Sequence, residues 1–127
     1  MRVGVLTGGG DCPGLNAVIR GVVRKAERDY GDEVIGFLDG YLGLLEDRWI
    51  PLDVEACRGI LPRGGTIIGT TRHTPFMVEG GVETAKETLA RHEIEALIVI
   101  GGEGTLSCAN RLAVDHDVPI IGVPKTI

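Results

Sequence analysis

Cysteine is scarce in this chain of 127 residues, and the way it is placed excludes two architectures at once. Cys12, Cys57 and Cys108 form an odd set with no Cys-x-x-Cys spacing. Neither a disulfide framework nor a zinc site is indicated, and a reduced, cytoplasmic setting fits best. No apolar run reaches the length of a membrane-spanning helix, and Met1 leads into a strand-like segment rather than a signal peptide. Positive charge is also short: Lys and Arg number 13 against 18 Asp and Glu, for a net charge of −5. That balance argues against nucleic acid or an anionic membrane as a general partner, and leaves room only for a local basic pocket. Internal repeats, low-complexity tracts and linkers are absent. No Ser/His/Asp or Cys/His spacing suggests nucleophilic catalysis. His92 and His116 read as structural or solvated, and only His73 lies at a candidate site.

What the chain has in quantity is glycine, 20 residues of it, mostly where strands should end. Hydrophobic residues make up 43% and charged residues 24%, so a chain of this length can bury a core of its own as one domain, residues 1–127. Ala96–Ile100 is an unbroken apolar, largely β-branched run, the mark of a strand buried on both faces of a parallel sheet. Arg2–Thr7 and Glu33–Leu38 read as further strands, Trp49–Leu52 as a short one, and Pro119–Val123 as a last buried one. Helical periodicity covers Leu15–Tyr30, with Leu15, Val18, Ile19, Val22, Val23 and Ala26 on one face, and Val82–His92, with Val82, Ala85 and Leu89. Val54–Leu61 and Leu106–Asp115 are expected to be helical, whereas Asp39–Leu45 gives no clear pattern. Strand alternating with helix predicts an α/β fold: a three-layer, doubly wound parallel sheet.

Three glycine-rich stretches carry the chemistry. Gly8–Gly14 follows a strand and opens a helix, where backbone N–H groups and the helix dipole favour an anion such as phosphate. It is not a dinucleotide fingerprint, because Pro13 stands where the third glycine belongs. It misses the P-loop too, since Leu15-Asn16 replace the Lys-Ser/Thr pair. A phosphate cradle here would draw positive charge from Arg72 or Lys125, both at loop positions; a tight turn that only positions the first helix is the other reading. Gly101-Gly102-Glu103-Gly104-Thr105 follows the Ala96–Ile100 strand. Glu103 suits Mg²⁺, which keeps most of its waters and takes one or two carboxylates, and equally suits dipole compensation at a helix start. Thr105 either caps that helix or touches a phosphate oxygen. The third stretch is Arg63–Arg72.

Gly9-Gly10-Asp11-Cys12-Pro13-Gly14-Leu15-Asn16-Ala17, Arg63-Gly64-Gly65-Thr66, Gly101-Gly102-Glu103-Gly104-Thr105 and Pro124-Lys125-Thr126-Ile127 together resemble the 6-phosphofructokinase family, in family order over the whole chain. The Gly-Gly-acid-Gly-Thr element alone also occurs in NAD kinases and diacylglycerol kinases. The resemblance implies transfer of the γ-phosphoryl group of MgATP to fructose 6-phosphate in glycolysis, by a homo-oligomer, a tetramer in the family. It places Gly10, Arg72, His73, Gly102, Glu103, Gly104 and Thr105 at the ATP site, with Glu103 where the family has a Mg²⁺-binding aspartate. Thr126 and Ile127 fall at the sugar phosphate. Arg20 and Arg24 match helix arginines that bind allosteric effectors in bacterial members, a solvated helix face being the plainer alternative.

Donor choice divides two positions. Gly104 resembles ATP users, whereas pyrophosphate users typically carry an aspartate there; Lys125 is more typical of pyrophosphate users and of a mixed ATP-using subgroup. Sterics favour ATP, because an open donor pocket has no purpose for pyrophosphate. The family's subunit is longer, so the chain is expected to be the amino-terminal part of its larger domain, incomplete at the C-terminus. The catalytic aspartate of the family is expected just past Ile127, and no catalytic residue is expected within the chain. A pyrophosphate-dependent enzyme and a non-catalytic nucleotide-binding fragment are the alternatives.

Overall fold

The computed structural model describes residues 2–9, 15–31, 33–53, 55, 68–71 and 73–124. Along the chain run β1 (Arg2–Thr7), α1 (Leu15–Lys25), β2 (Glu33–Phe37), α2 (Tyr41–Glu46), β3 (Trp49–Leu52), α3 (Gly81–Arg91), β4 (Ala96–Gly101), α4 (Glu103–His116) and β5 (Ile120–Pro124). The strands form one sheet in the order β3-β2-β1-β4-β5.

The central strand explains the layering. Val5 and Leu6 are neighbours in β1 and both are fully buried, yet they belong to different cores. Successive strand side chains point to opposite faces, so each face of this sheet needs its own cover. Each such burial contributes about 1.5–3 kcal/mol. On one face α1 supplies Leu15, Ile19 and Val23, four residues apart, against Val3, Val5, Val34 and Ile100. On the other, α2, α3 and α4 supply Leu44, Ala85, Leu89, Cys108 and Leu112 against Leu6, Leu97 and Val99. The three-layer α/β architecture is the one expected from the sequence.

Four details differ from expectation. The sheet is not wholly parallel: β3 pairs antiparallel with β2, Phe37 opposite Trp49. The connection between them carries only the six-residue α2 and re-enters at the end it left, with the Leu38 amide donating to the Arg48 carbonyl at 3.0 Å. A parallel neighbour would need a crossover to the far end of the sheet. Second, β5 is not buried; Ile121 is 57% exposed, because β5 lies at the end of the strand order with β4 as its one neighbour among the described residues. Third, α1 stops at Lys25 and continues through a π-helical turn, Ala26–Tyr30, which Gly31 closes in a left-handed conformation, its N–H bonded to the Ala26 carbonyl. Fourth, α4 begins at Glu103, three residues before the expected Leu106. Of the helix expected at Val54–Leu61, all but Glu55 lies outside the described residues.

Candidate functional site

β1 passes through α1 to β2 on one side, while β4 lies on its other side, so the strand order reverses between β1 and β4. In open α/β sheets the crevice at the carboxyl ends of such strands is the ligand site. Two of the glycine stretches meet there. The Gly8 amide donates to the Ile100 carbonyl at 2.9 Å, which carries the β1–β4 ladder one residue past β1. The next residue, Gly9, takes φ +80°, a conformation that L side chains avoid, and its amide donates to the Thr71 carbonyl at 3.3 Å.

Thr105 locks the two stretches together. A Cβ on Gly8 would stand 2.6 Å from Thr105 Cγ2 and Oγ1, and one on Gly101 would stand 2.6 Å from Thr105 Cβ. Both glycines are needed for the threonine to seat between them. The earlier helix start also settles one reading. Gly102 is the N-cap of α4, so Thr105 is its third helical residue and does not cap it. The N-cap of this 14-residue helix is a glycine, and among the described residues no side-chain cap hydrogen bond is made there. Its first turn presents backbone N–H groups and the positive end of the dipole, the usual requirement for binding an anion.

The other predicted residues fall out as follows. Glu103 is exposed on the first turn of α4, and Gly102 beside it is half-buried. Gly104 is exposed, and a Cβ there would meet nothing within 4 Å among the described residues. His73 is exposed and tethered to Thr71: its amide donates to Thr71 Oγ1 at 3.2 Å, and that oxygen lies 3.0 Å from His73 Nδ1. Arg20 and Arg24 are half-buried, a turn apart, roughly 8 and 14 Å along α1 from Leu15 at 1.5 Å per residue. Gly10, Arg72, Lys125, Thr126 and Ile127 lie outside the described residues. Among the described residues no three His, Cys, Asp or Glu side chains group to hold a metal, and Glu103 is the acidic residue of the first turn of α4. That suits Mg²⁺ bound chiefly by water and phosphate.

His92 is structural, as the sequence suggested; it is buried with its ring edge-on to Trp49. Sequence reasoning missed four residues that build the site: Thr71, Asp39, Thr7 and Tyr41. Thr71 braces Gly9. Asp39 takes a left-handed conformation (φ +57°), and its amide donates to the Ile68 carbonyl at 2.8 Å, joining the start of α2 to the segment beside β1. Thr7 Oγ1 donates to the Gly69 carbonyl of the same segment at 2.7 Å. Tyr41 is fully buried, and its hydroxyl donates to the Thr105 carbonyl at 2.8 Å. Burial foremost, then Cys108, pushes the Tyr41 hydroxyl above the usual phenol range, so it stays a donor. Gly40 before it runs close behind β1, where a Cβ would lie 2.8 Å from the Thr7 carbonyl oxygen. An unplaced segment punctuated by glycine was the signal available.

A family model described as phosphofructokinase matches residues 2–127. Over its full length the chain is 58% identical to a pyrophosphate–fructose 6-phosphate 1-phosphotransferase of Streptomyces coelicolor and, equally, to ATP-dependent 6-phosphofructokinase 3 of the same organism. It spans 37% of the length of each. Among solved structures, phosphofructokinase from Saccharomyces cerevisiae superposes with a TM-score of 0.83 at 32% identity, covering 98% of this chain and 20% of that one.

Proposed function

The chain belongs to the phosphofructokinase family, and on that premise we propose that the protein carrying it transfers the γ-phosphoryl group of ATP to fructose 6-phosphate. The products are fructose 1,6-bisphosphate and ADP. The observation that carries this reading is the space at Gly104, where a Cβ would meet nothing within 4 Å among the described residues, on the first turn of a helix whose N-cap is a glycine. Exposed backbone donors suit the donor's phosphates, and the room at Gly104 suits a nucleotide. Arg72 and His73, next to Thr71, are proposed to meet the same phosphates, as is Gly10.

Phosphoryl transfer depends on positioning and on neutralising charge spread over phosphate oxygens. The floor made by Gly8, Gly101 and Thr105 supplies the positioning. Mg²⁺ would supply the neutralisation, with Glu103 the residue proposed to hold it. Thr126 and Ile127 are proposed to meet the sugar phosphate, and the resemblance puts the base after Ile127. The 127 residues alone are therefore proposed to show no phosphofructokinase turnover. Assembly as a tetramer and effector binding at Arg20 and Arg24 are proposed from the resemblance. No helix among the described residues is long and apolar enough to cross a membrane, and a cytoplasmic location is proposed.

Pyrophosphate is the second reading, favoured by Lys125 and by the equal identity to the pyrophosphate-dependent relative. A coupled assay of the full-length protein with each donor and fructose 6-phosphate separates them. Turnover with ATP well above that with pyrophosphate is expected, and the opposite order would overturn the choice.

A further inference from the structure

We infer that Tyr41 is a positioning residue for the phosphoryl donor, acting through Thr105 without touching the donor itself. The inference rests on the functional reading above and assigns a residue to that same site.

The chain of contacts is short. Tyr41 opens α2 directly after Gly40, whose left-handed conformation (φ +64°) turns the chain behind the end of β1. The tyrosine ring is fully buried, and its hydroxyl reaches the Thr105 carbonyl, a hydrogen bond 64 residues apart in sequence. That carbonyl belongs to the first turn of α4, the turn carrying Glu103 and Gly104. The side chain of the same threonine is the piece wedged against Gly8 and Gly101. The hydroxyl thus fixes from behind the turn whose exposed face meets the donor. A helical carbonyl in the first turn already has an amide partner four residues on, so the hydroxyl adds a second bond that ties this turn to a distant element. Such a bond sets how the turn sits against the β1 loop. Small misplacements of donor-binding groups are costly for transfer chemistry.

The test uses the full-length protein and whichever donor it turns over. Tyr41→Phe keeps the ring and its packing and removes only the hydroxyl. Thr88→Val is the matched control. Thr88 Oγ1 donates to the Leu44 carbonyl at 2.7 Å, another buried side-chain bond to α2, made on the side facing α3. Tyr41→Phe is expected to raise the KM for the donor roughly three- to tenfold, the worth of one buried hydrogen bond, with the KM for fructose 6-phosphate unchanged. Thr88→Val is expected to lower the melting temperature without moving the donor KM. An unchanged donor KM in Tyr41→Phe, or equal shifts in both variants, overturns the assignment while leaving the kinase reading intact. A parent protein that turns over neither ATP nor pyrophosphate overturns both.

Discussion

Asp47 and His92 join two elements far apart in sequence: the carboxylate Oδ1 lies 2.6 Å from the imidazole Nε2. Arg91 Nη1 holds the other carboxylate oxygen at 2.9 Å, and the rings of Trp49 and Phe37 flank the histidine at 4.9 and 6.3 Å between centroids. The hydrogen bond from His92 foremost, with Arg91 adding to it, holds the Asp47 carboxyl below its ordinary value of 3.8. A depressed acid stabilises the fold above its unfolded pKa and loses that contribution as the pH falls through the folded value. Asp47→Asn should therefore be less stable than the parent at neutral pH. The gap should close as the pH drops below the ordinary carboxylate range. Urea midpoints taken from about pH 7 down to about pH 3 read this directly. A gap that does not change with pH would contradict the pairing.

The wedge at Thr105 predicts a paired effect. Gly8→Ala places a methyl 2.6 Å from Thr105 Cγ2 and Oγ1. Overpacking of this kind costs about 1–3 kcal/mol. Thr105→Ala removes both offending atoms, and the remaining Cβ contact is 3.2 Å. The double variant should thus be more stable than the sum of the two single losses allows. A double-mutant cycle by chemical denaturation measures the coupling, and strict additivity would mean that the two residues do not press on each other.

Gly104→Asp probes donor choice with little risk to the fold, because a Cβ there meets nothing within 4 Å among the described residues. Melting temperature should stay close to that of the parent. In the full-length protein, ATP-dependent turnover should fall about tenfold or more, since a carboxylate would stand beside the donor's phosphates in space left for a nucleotide. Steady-state kinetics with both donors checks this. Equal loss with ATP and pyrophosphate would argue that Gly104 does not distinguish them.

Cys108 offers a test on the alkaline side. Burial pushes its thiol up from an ordinary 9.0, against opposing effects of Tyr41 and Arg111. A raised acid contributes stability below its unfolded pKa and loses it as the pH climbs through the folded one. With Cys12 and Cys57 replaced by serine, a thiol reagent at about pH 8 should label Cys108 only as fast as the protein opens. Rapid labelling of the folded chain would show that the thiol is reachable.

Much of this was legible in the residues themselves. The unalternating Ala96–Ile100 run and the four-residue spacing of Leu15, Ile19 and Val23 announced a sheet covered on both faces, and glycines marked the strand ends that meet. What stayed hidden depended on neighbours. The reversal of β3 follows from how α2 returns the chain, which no local pattern records. The run Pro119–Val123 read as a buried strand, although its place in the sheet order leaves Ile121 exposed. Tyr41 could not be singled out either. Its partner is a backbone carbonyl 64 residues on, and a carbonyl is the same for every residue type.

The Gly8–Ile100 bond and the seat of Thr105 also bear on motion. Loops at ligand sites are commonly the quickest parts of a protein to open. Here the Gly8 amide is tied into the sheet ladder, so its hydrogen should exchange with solvent about as slowly as those of β1 and β4. A donor would then settle onto a surface already as rigid as the sheet. Any closing movement on binding falls to groups outside that floor.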